Sequence, residues 1–164
     1  MQWMKRCQQA GREPALLLVG IALVVVGGCG SDIPSASVIT GLTLSCPAFE
    51  ANVNRIFDAD IGGRTCSASG CHSVNGGSGG AFKIYPNASA GSQQMEANYL
   101  AAKGFVNLSS TPDSKLLLEP LAGSQPSVGP HSGGDIFPDT LDTNYRTIET
   151  WIDTRIQGPS TCLP

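Results

Sequence analysis

Two histidines, at positions 72 and 131, are all that this chain of 164 residues contains. Charged residues make up 14% of it, and the formal net charge is −3. No basic patch is present that would suit a nucleic acid, which excludes that class of partner. Few long apolar runs occur after residue 30, so the mature part reads as soluble and rich in loops. The chain has no nucleotide-binding loop, no paired acid and base, and no second redox motif. Enzymatic chemistry is therefore not expected of it. No internal repeat appears. What is abundant is glycine, with 20 residues, and there are six cysteines.

The N-terminus has the pattern of an export signal. Lys5, Arg6 and Arg12 form a positive start. The apolar run at 16–26 is shorter than the roughly 20 residues a membrane span needs. It runs into Val26-Gly27-Gly28-Cys29, which resembles the lipobox of bacterial lipoproteins. The expectation is a signal peptide at 1–28, with acylated Cys29 as the new first residue. Gly30 and Ser31 follow, with no aspartate at the second position. In lipoproteins of the enteric type this pattern implies the outer membrane, with the domain in the periplasm or at the cell surface. Removing Lys5, Arg6, Arg12 and Glu13 takes the formal charge from −3 to −5. An acidic surface suits a basic redox partner, and it also keeps a small protein soluble.

Cys66-Ser67-Ala68-Ser69-Gly70-Cys71-His72 carries the chemistry. Two cysteines followed at once by a histidine are how a c-type haem is anchored. Each thiol forms a thioether to a haem vinyl group, and the adjacent imidazole reaches the iron. The usual spacing leaves two residues between the cysteines, and here there are four. Zinc fits these residues poorly. Cys66, Cys71 and His72 do not make a tetrahedral set alone, and adjacent Cys71 and His72 are awkward joint ligands even with His131 as a fourth. Cys7 leaves with the signal, and Cys29 carries lipid. Cys46 and Cys162 then remain, and in an oxidising compartment they are most simply a disulfide.

Along the chain, 29–45 is rich in Ser, Thr and Gly and reads as a tether, with a short strand possible near 39–44. A single domain is expected over 46–164. Residues 47–59 read as a helix with Phe49, Val53, Ile56 and Phe57 on one face. Residues 75–80 form a glycine-rich loop. Residues 92–103 read as a second helix stopped by Gly104. Thr111 and Pro112 start a short third helix that Pro120 halts. A Gly/Pro/Ser loop over 121–138 contains His131-Ser132-Gly133-Gly134, and a last helix is expected over about 142–157, with Tyr145, Ile148, Trp151 and Ile152 at helical spacing. So small a core needs staples.

This order of elements resembles the cytochrome c-like domains of many planctomycete and proteobacterial proteins. The resemblance rests on the Cys-x4-Cys-His motif, Asp113-Ser114-Lys115-Leu116-Leu117, His131-Ser132-Gly133-Gly134 and the final Thr150-Trp151-Ile152, across about 46–158. It departs from them in the cysteine spacing and in Ser132, where a glycine is usual. The resemblance implies a mainly α, class I cytochrome c-like helical domain with long loops, in which the first and last helices cross beside one covalent haem c. A Cys46–Cys162 disulfide would pin that crossing.

His72 is then the proximal iron ligand. His131 is the distal candidate, on a loop before the final helix where such ligands sit. Met95 is the alternative, although its place four residues before Tyr99 on a helix suits core packing. An open sixth position is the third possibility. Phe82, Ile84, Tyr85, Leu116, Leu117 and Trp151 are candidate pocket walls. Function is expected to be single-electron transfer with redox partner proteins, from a membrane-tethered mono-haem cytochrome. The contrasting reading is a haem-free, disulfide-stapled lipoprotein that acts as a binding or structural module, with Cys66 and Cys71 joined to each other.

Overall fold

A computed structural model describes residues 41–124 and 131–164. The signal peptide at 1–28, the lipidation at Cys29 and most of the proposed tether lie outside the described residues.

Ser45 begins the first helical segment. Its hydroxyl accepts from the Ala48 amide at 3.2 Å, and Pro47 occupies the first turn. This is how a chain supplies an orphan donor at a helix start while spending a residue that needs no amide bond there. The segment runs without a break through α1 (Cys46–Ala48), a π-helical stretch (Phe49–Val53) and α2 (Asn54–Asp58). Phe49, Val53, Ile56 and Phe57 are all buried, as their spacing predicts.

Helix α3 (Gln93–Lys103) is capped by Ser92, whose hydroxyl accepts from the Met95 amide. A 3-10 turn (Thr111–Asp113) leads into α4 (Lys115–Leu118). Helix α5 (Thr143–Asp153) is capped by Asp142, whose carboxylate accepts from the amides of Asn144 and Tyr145. Phe49 gathers these helices. Its ring centre lies 5.7 Å from that of Tyr99 on α3 and 5.3 Å from that of Trp151 on α5. The Trp151 indole donates to the Ser45 carbonyl, and the Tyr99 hydroxyl donates to the Leu44 carbonyl. Two large side chains thus bury their rings and still satisfy their polar ends.

The expectation of a mainly α, class I cytochrome c-like domain is not met. Helix accounts for 36% of the described chain, about the share of an average soluble domain. The longest uninterrupted α-helices have 11 residues, and turns make up much of the rest. A two-stranded antiparallel sheet is also present, with β1 (Leu42–Leu44) paired to β2 (Arg155–Gln157). The last helix therefore stops at Asp153 instead of running to 157. Thr43 pairs with Ile156 and Leu44 with Arg155. The ladder offers those backbone groups partners that another helical turn would have supplied. β1 also draws the end of the proposed tether into the domain.

Cys46 and Cys162 form a disulfide, with Cα atoms 5.2 Å apart and a sequence separation of 116. The Cys46 amide donates to the Ser160 hydroxyl at 2.7 Å, so the C-terminal tail is stitched to the start of α1 twice. No helix among the described residues is long and apolar enough to cross a membrane.

Candidate functional site

The Cys66–His72 motif hangs from the end of α2. The Ser67 amide donates to the Phe57 carbonyl at 2.9 Å, and the His72 amide donates to the Cys66 carbonyl at 3.0 Å. The five residues between those two backbone groups therefore close into a compact loop. Just before it, Gly62 and Gly63 both have positive φ, at 63° and 82°. Ile61 and Arg64 exchange backbone hydrogen bonds across them. A two-residue turn with both φ values positive favours glycine, which adopts them without strain, and it presents Arg64 at a defined position.

His72 is held by its own backbone and by its ring. Its carbonyl accepts from the Ile84 amide at 2.8 Å. Its Nδ1 lies 2.9 Å from the Phe82 carbonyl. A carbonyl can only accept, so Nδ1 carries the proton and Nε2 is the basic nitrogen. The 82–85 segment is fixed in turn by Asn98 of α3. The Tyr85 amide donates to Asn98 Oδ1, and Asn98 Nδ2 donates to the Tyr85 carbonyl and to buried Asn54. Burial pushes the His72 pKa below its ordinary value, and the Phe82 carbonyl bond opposes the shift.

His131 faces His72. The two rings are nearly parallel, at 10°, with centroids 5.9 Å apart. His131 Nδ1 lies 2.9 Å from the Gly134 carbonyl, so the same logic leaves its Nε2 basic. Each ring rests on a residue without a side chain. A Cβ on Gly79 would fall on the His72 ring, and one on Gly133 would come within 3.0 Å of His131 Cε1.

These residues border one cavity of about 630 Å³, within the usual range for cofactor and ligand sites. Cys66, Cys71, His72 and His131 all line it. Ile56, Phe57, Phe82, Phe105, Leu116 and Phe137 supply apolar walls, and Lys115, Glu119 and Ser132 supply polar ones. Cys66 and Cys71 are free thiols. Burial, with a smaller contribution from Cys71, pushes the Cys66 thiol up to about 11. It stays protonated near neutrality and is a poor partner for disulfide exchange.

Met95 is placed elsewhere. It is 3% exposed in the hydrophobic core and does not line the cavity. Of the expected walls, Phe82 and Leu116 line it. Ile84, Leu117 and Trp151 are core residues, and Tyr85 is 38% exposed. Cys46, Glu50 and Cys162 also lie close together, but the disulfide occupies both sulfurs.

Several contributors are not evident from sequence patterns. Asn98 acts through the backbone of Tyr85, across 13 residues of sequence. Phe137 is an isolated aromatic in a Gly/Pro loop, a signal that could have marked it as buried. Gly79 belongs to a glycine run immediately after the histidine, where close approach to that ring was readable as a possibility.

The arrangement can grip a flat, largely apolar group between two imidazoles, with two thiols on one wall for covalent attachment. Comparison with family models, with curated proteins and with solved structures found no match to this chain.

Proposed function

We propose that this chain is a mono-haem c-type cytochrome, a carrier of single electrons held at the bacterial cell envelope by lipid on Cys29. The observation that carries the reading is the pair of parallel imidazoles 5.9 Å apart, with both free thiols on the wall of the same cavity. Metal–imidazole bonds are about 2.0–2.1 Å long, so two imidazoles at this separation are close enough to share one ion. Backbone carbonyls at both Nδ1 atoms leave Nε2 as the nitrogen free to bind a metal, which is the usual outer support of a ligating histidine.

Haem bound here would supply a one-electron couple at its iron. Cys66 and Cys71 would hold it through thioethers, and His72 and His131 would ligate its iron. The Phe57, Phe82, Phe105 and Phe137 walls would keep water from it and so tune its potential. The likeness to cytochrome c-like domains is then one of the elements around the site. Redox partner proteins would exchange electrons with the tethered domain, in the periplasm or at the cell surface.

The haem-free reading draws on the Cys46–Cys162 disulfide, which would staple a binding module equally well. Its proposed Cys66–Cys71 bridge is absent.

Expression in a host with cytochrome c maturation machinery separates the two. The haem reading expects an intact mass increased by one haem and a pyridine haemochrome spectrum that survives acid-acetone extraction. An unmodified mass under those conditions would overturn it. Lipidation is tested by Cys29→Ser, which should release the domain from membranes or leave an uncleaved precursor. Failure of labelled fatty acid to enter the wild type would remove the anchor.

A further inference from the structure

We propose that Arg64 is a positioning residue for His131, setting how firmly that imidazole holds its place opposite His72. The inference rests on the haem reading above. Arg64 is presented by the Gly62-Gly63 turn, two residues before Cys66. Its Nη1 donates to the Asp135 carbonyl at 2.8 Å, across 71 residues of sequence. Its guanidinium also lies against Gly134. A Cβ there would be 2.8 Å from Nη1, 2.9 Å from Cζ and 3.0 Å from Nη2. Gly134 has φ of +76°, and its carbonyl is the one that holds His131 Nδ1.

One side chain therefore ties the thiol-bearing loop to the backbone that orients the facing imidazole. A bond donated by a guanidinium is stronger than one between neutral groups. Its flat face also fits over a residue without a side chain. An alanine at 64 removes the bond from the thiol-bearing loop to Asp135, leaving residues 131–135 held by their own local bonds and by the Ile136 and Phe137 amides on the Pro120 carbonyl. His131 then competes less well for its position.

The test uses full-length protein matured with haem, titrated with free imidazole and followed by absorbance. External imidazole must displace His131, so its apparent affinity reports how firmly His131 is held. Arg64→Ala should keep the haem content of the wild type and bind imidazole about tenfold more tightly, the size expected for loss of one charge-assisted bond near the surface. Arg64→Lys should recover part of the effect, because an ammonium can reach a carbonyl but lacks the flat face. Gly134→Ala should raise imidazole affinity in the wild-type background and by less in Arg64→Ala, where no guanidinium remains to collide with the new methyl.

Unchanged imidazole affinity in a fully haem-loaded Arg64→Ala would overturn the role of Arg64 and leave the haem reading standing. Additive effects of the two substitutions would overturn it too. A wild type that loads no haem overturns both. If Arg64→Ala alone fails to load haem, Arg64→Lys and Gly134→Ala carry the comparison.

Discussion

A methyl group on Gly79 would fall on the imidazole of His72, whereas one on neighbouring Gly80 would meet nothing within 4 Å. Gly80 has φ of +64°, so there the difficulty is backbone strain alone. The two substitutions should therefore separate. Gly80→Ala should cost about 1–2 kcal/mol in urea unfolding and leave the His72 ring resonances in place. Gly79→Ala should cost about 1–3 kcal/mol by overpacking and shift those resonances. Equal effects on His72 would mean that the glycine run serves only the turn. At the facing ring, if haem fills the cavity as proposed, His131→Ala should convert it from a low-spin to a high-spin form. Met95→Leu should leave the spectrum intact and cost less than about 1.5 kcal/mol, as a volume-conserving change in the core does. A sulfur-to-iron band that vanished with Met95 would reverse the assignment.

At the scale of elements, α3 supports the site through Asn98, which is fully buried. Asn98 satisfies both backbone groups of Tyr85 and the Asn54 side chain at once. Truncating it removes the partner of buried Asn54 and of two part-buried backbone groups of Tyr85, and leaving a buried group unsatisfied costs about 1–3 kcal/mol. Asn98→Ala is therefore expected to destabilise the domain by about 3 kcal/mol or more, measured by urea unfolding. It should also loosen the 82–85 segment, seen as faster amide exchange at Ile84, whose amide holds the His72 carbonyl. A loss below about 1 kcal/mol would show that water replaces the amide without consequence. The same logic explains α5. Its apolar face reads clearly from Tyr145, Ile148, Trp151 and Ile152, all buried. Its end does not, because β1, more than a hundred residues earlier, pairs with the residues that follow it.

For the whole molecule, the Cys46–Cys162 disulfide encloses almost the entire described chain. Closing so long a loop restricts the unfolded state strongly. Replacing both cysteines with serine should cost about 2–5 kcal/mol, read as a lower urea midpoint. The Phe49, Tyr99 and Trp151 cluster should still form, since its contacts do not pass through the sulfurs. Full stability in the serine pair would mean that the Ser160 bond and the β1–β2 ladder already hold the termini.

Local chemistry made much of this protein legible from sequence. Ser92 and Asp142 mark helix starts because their side chains satisfy nearby amides, and Pro120 halts the short helix before it because it has no amide to donate. The disulfide partners followed from counting cysteines. Tertiary structure alone decided the rest. It turned the expected helical domain into short helices closed by a two-stranded sheet, because ladder partners for 155–157 lie at the far end of the chain. It set His131 parallel to His72, and it brought Arg64 to Gly134 and Asn98 to Tyr85. Those contacts depend on the path of the backbone between distant residues. No spacing or periodicity within one segment records them.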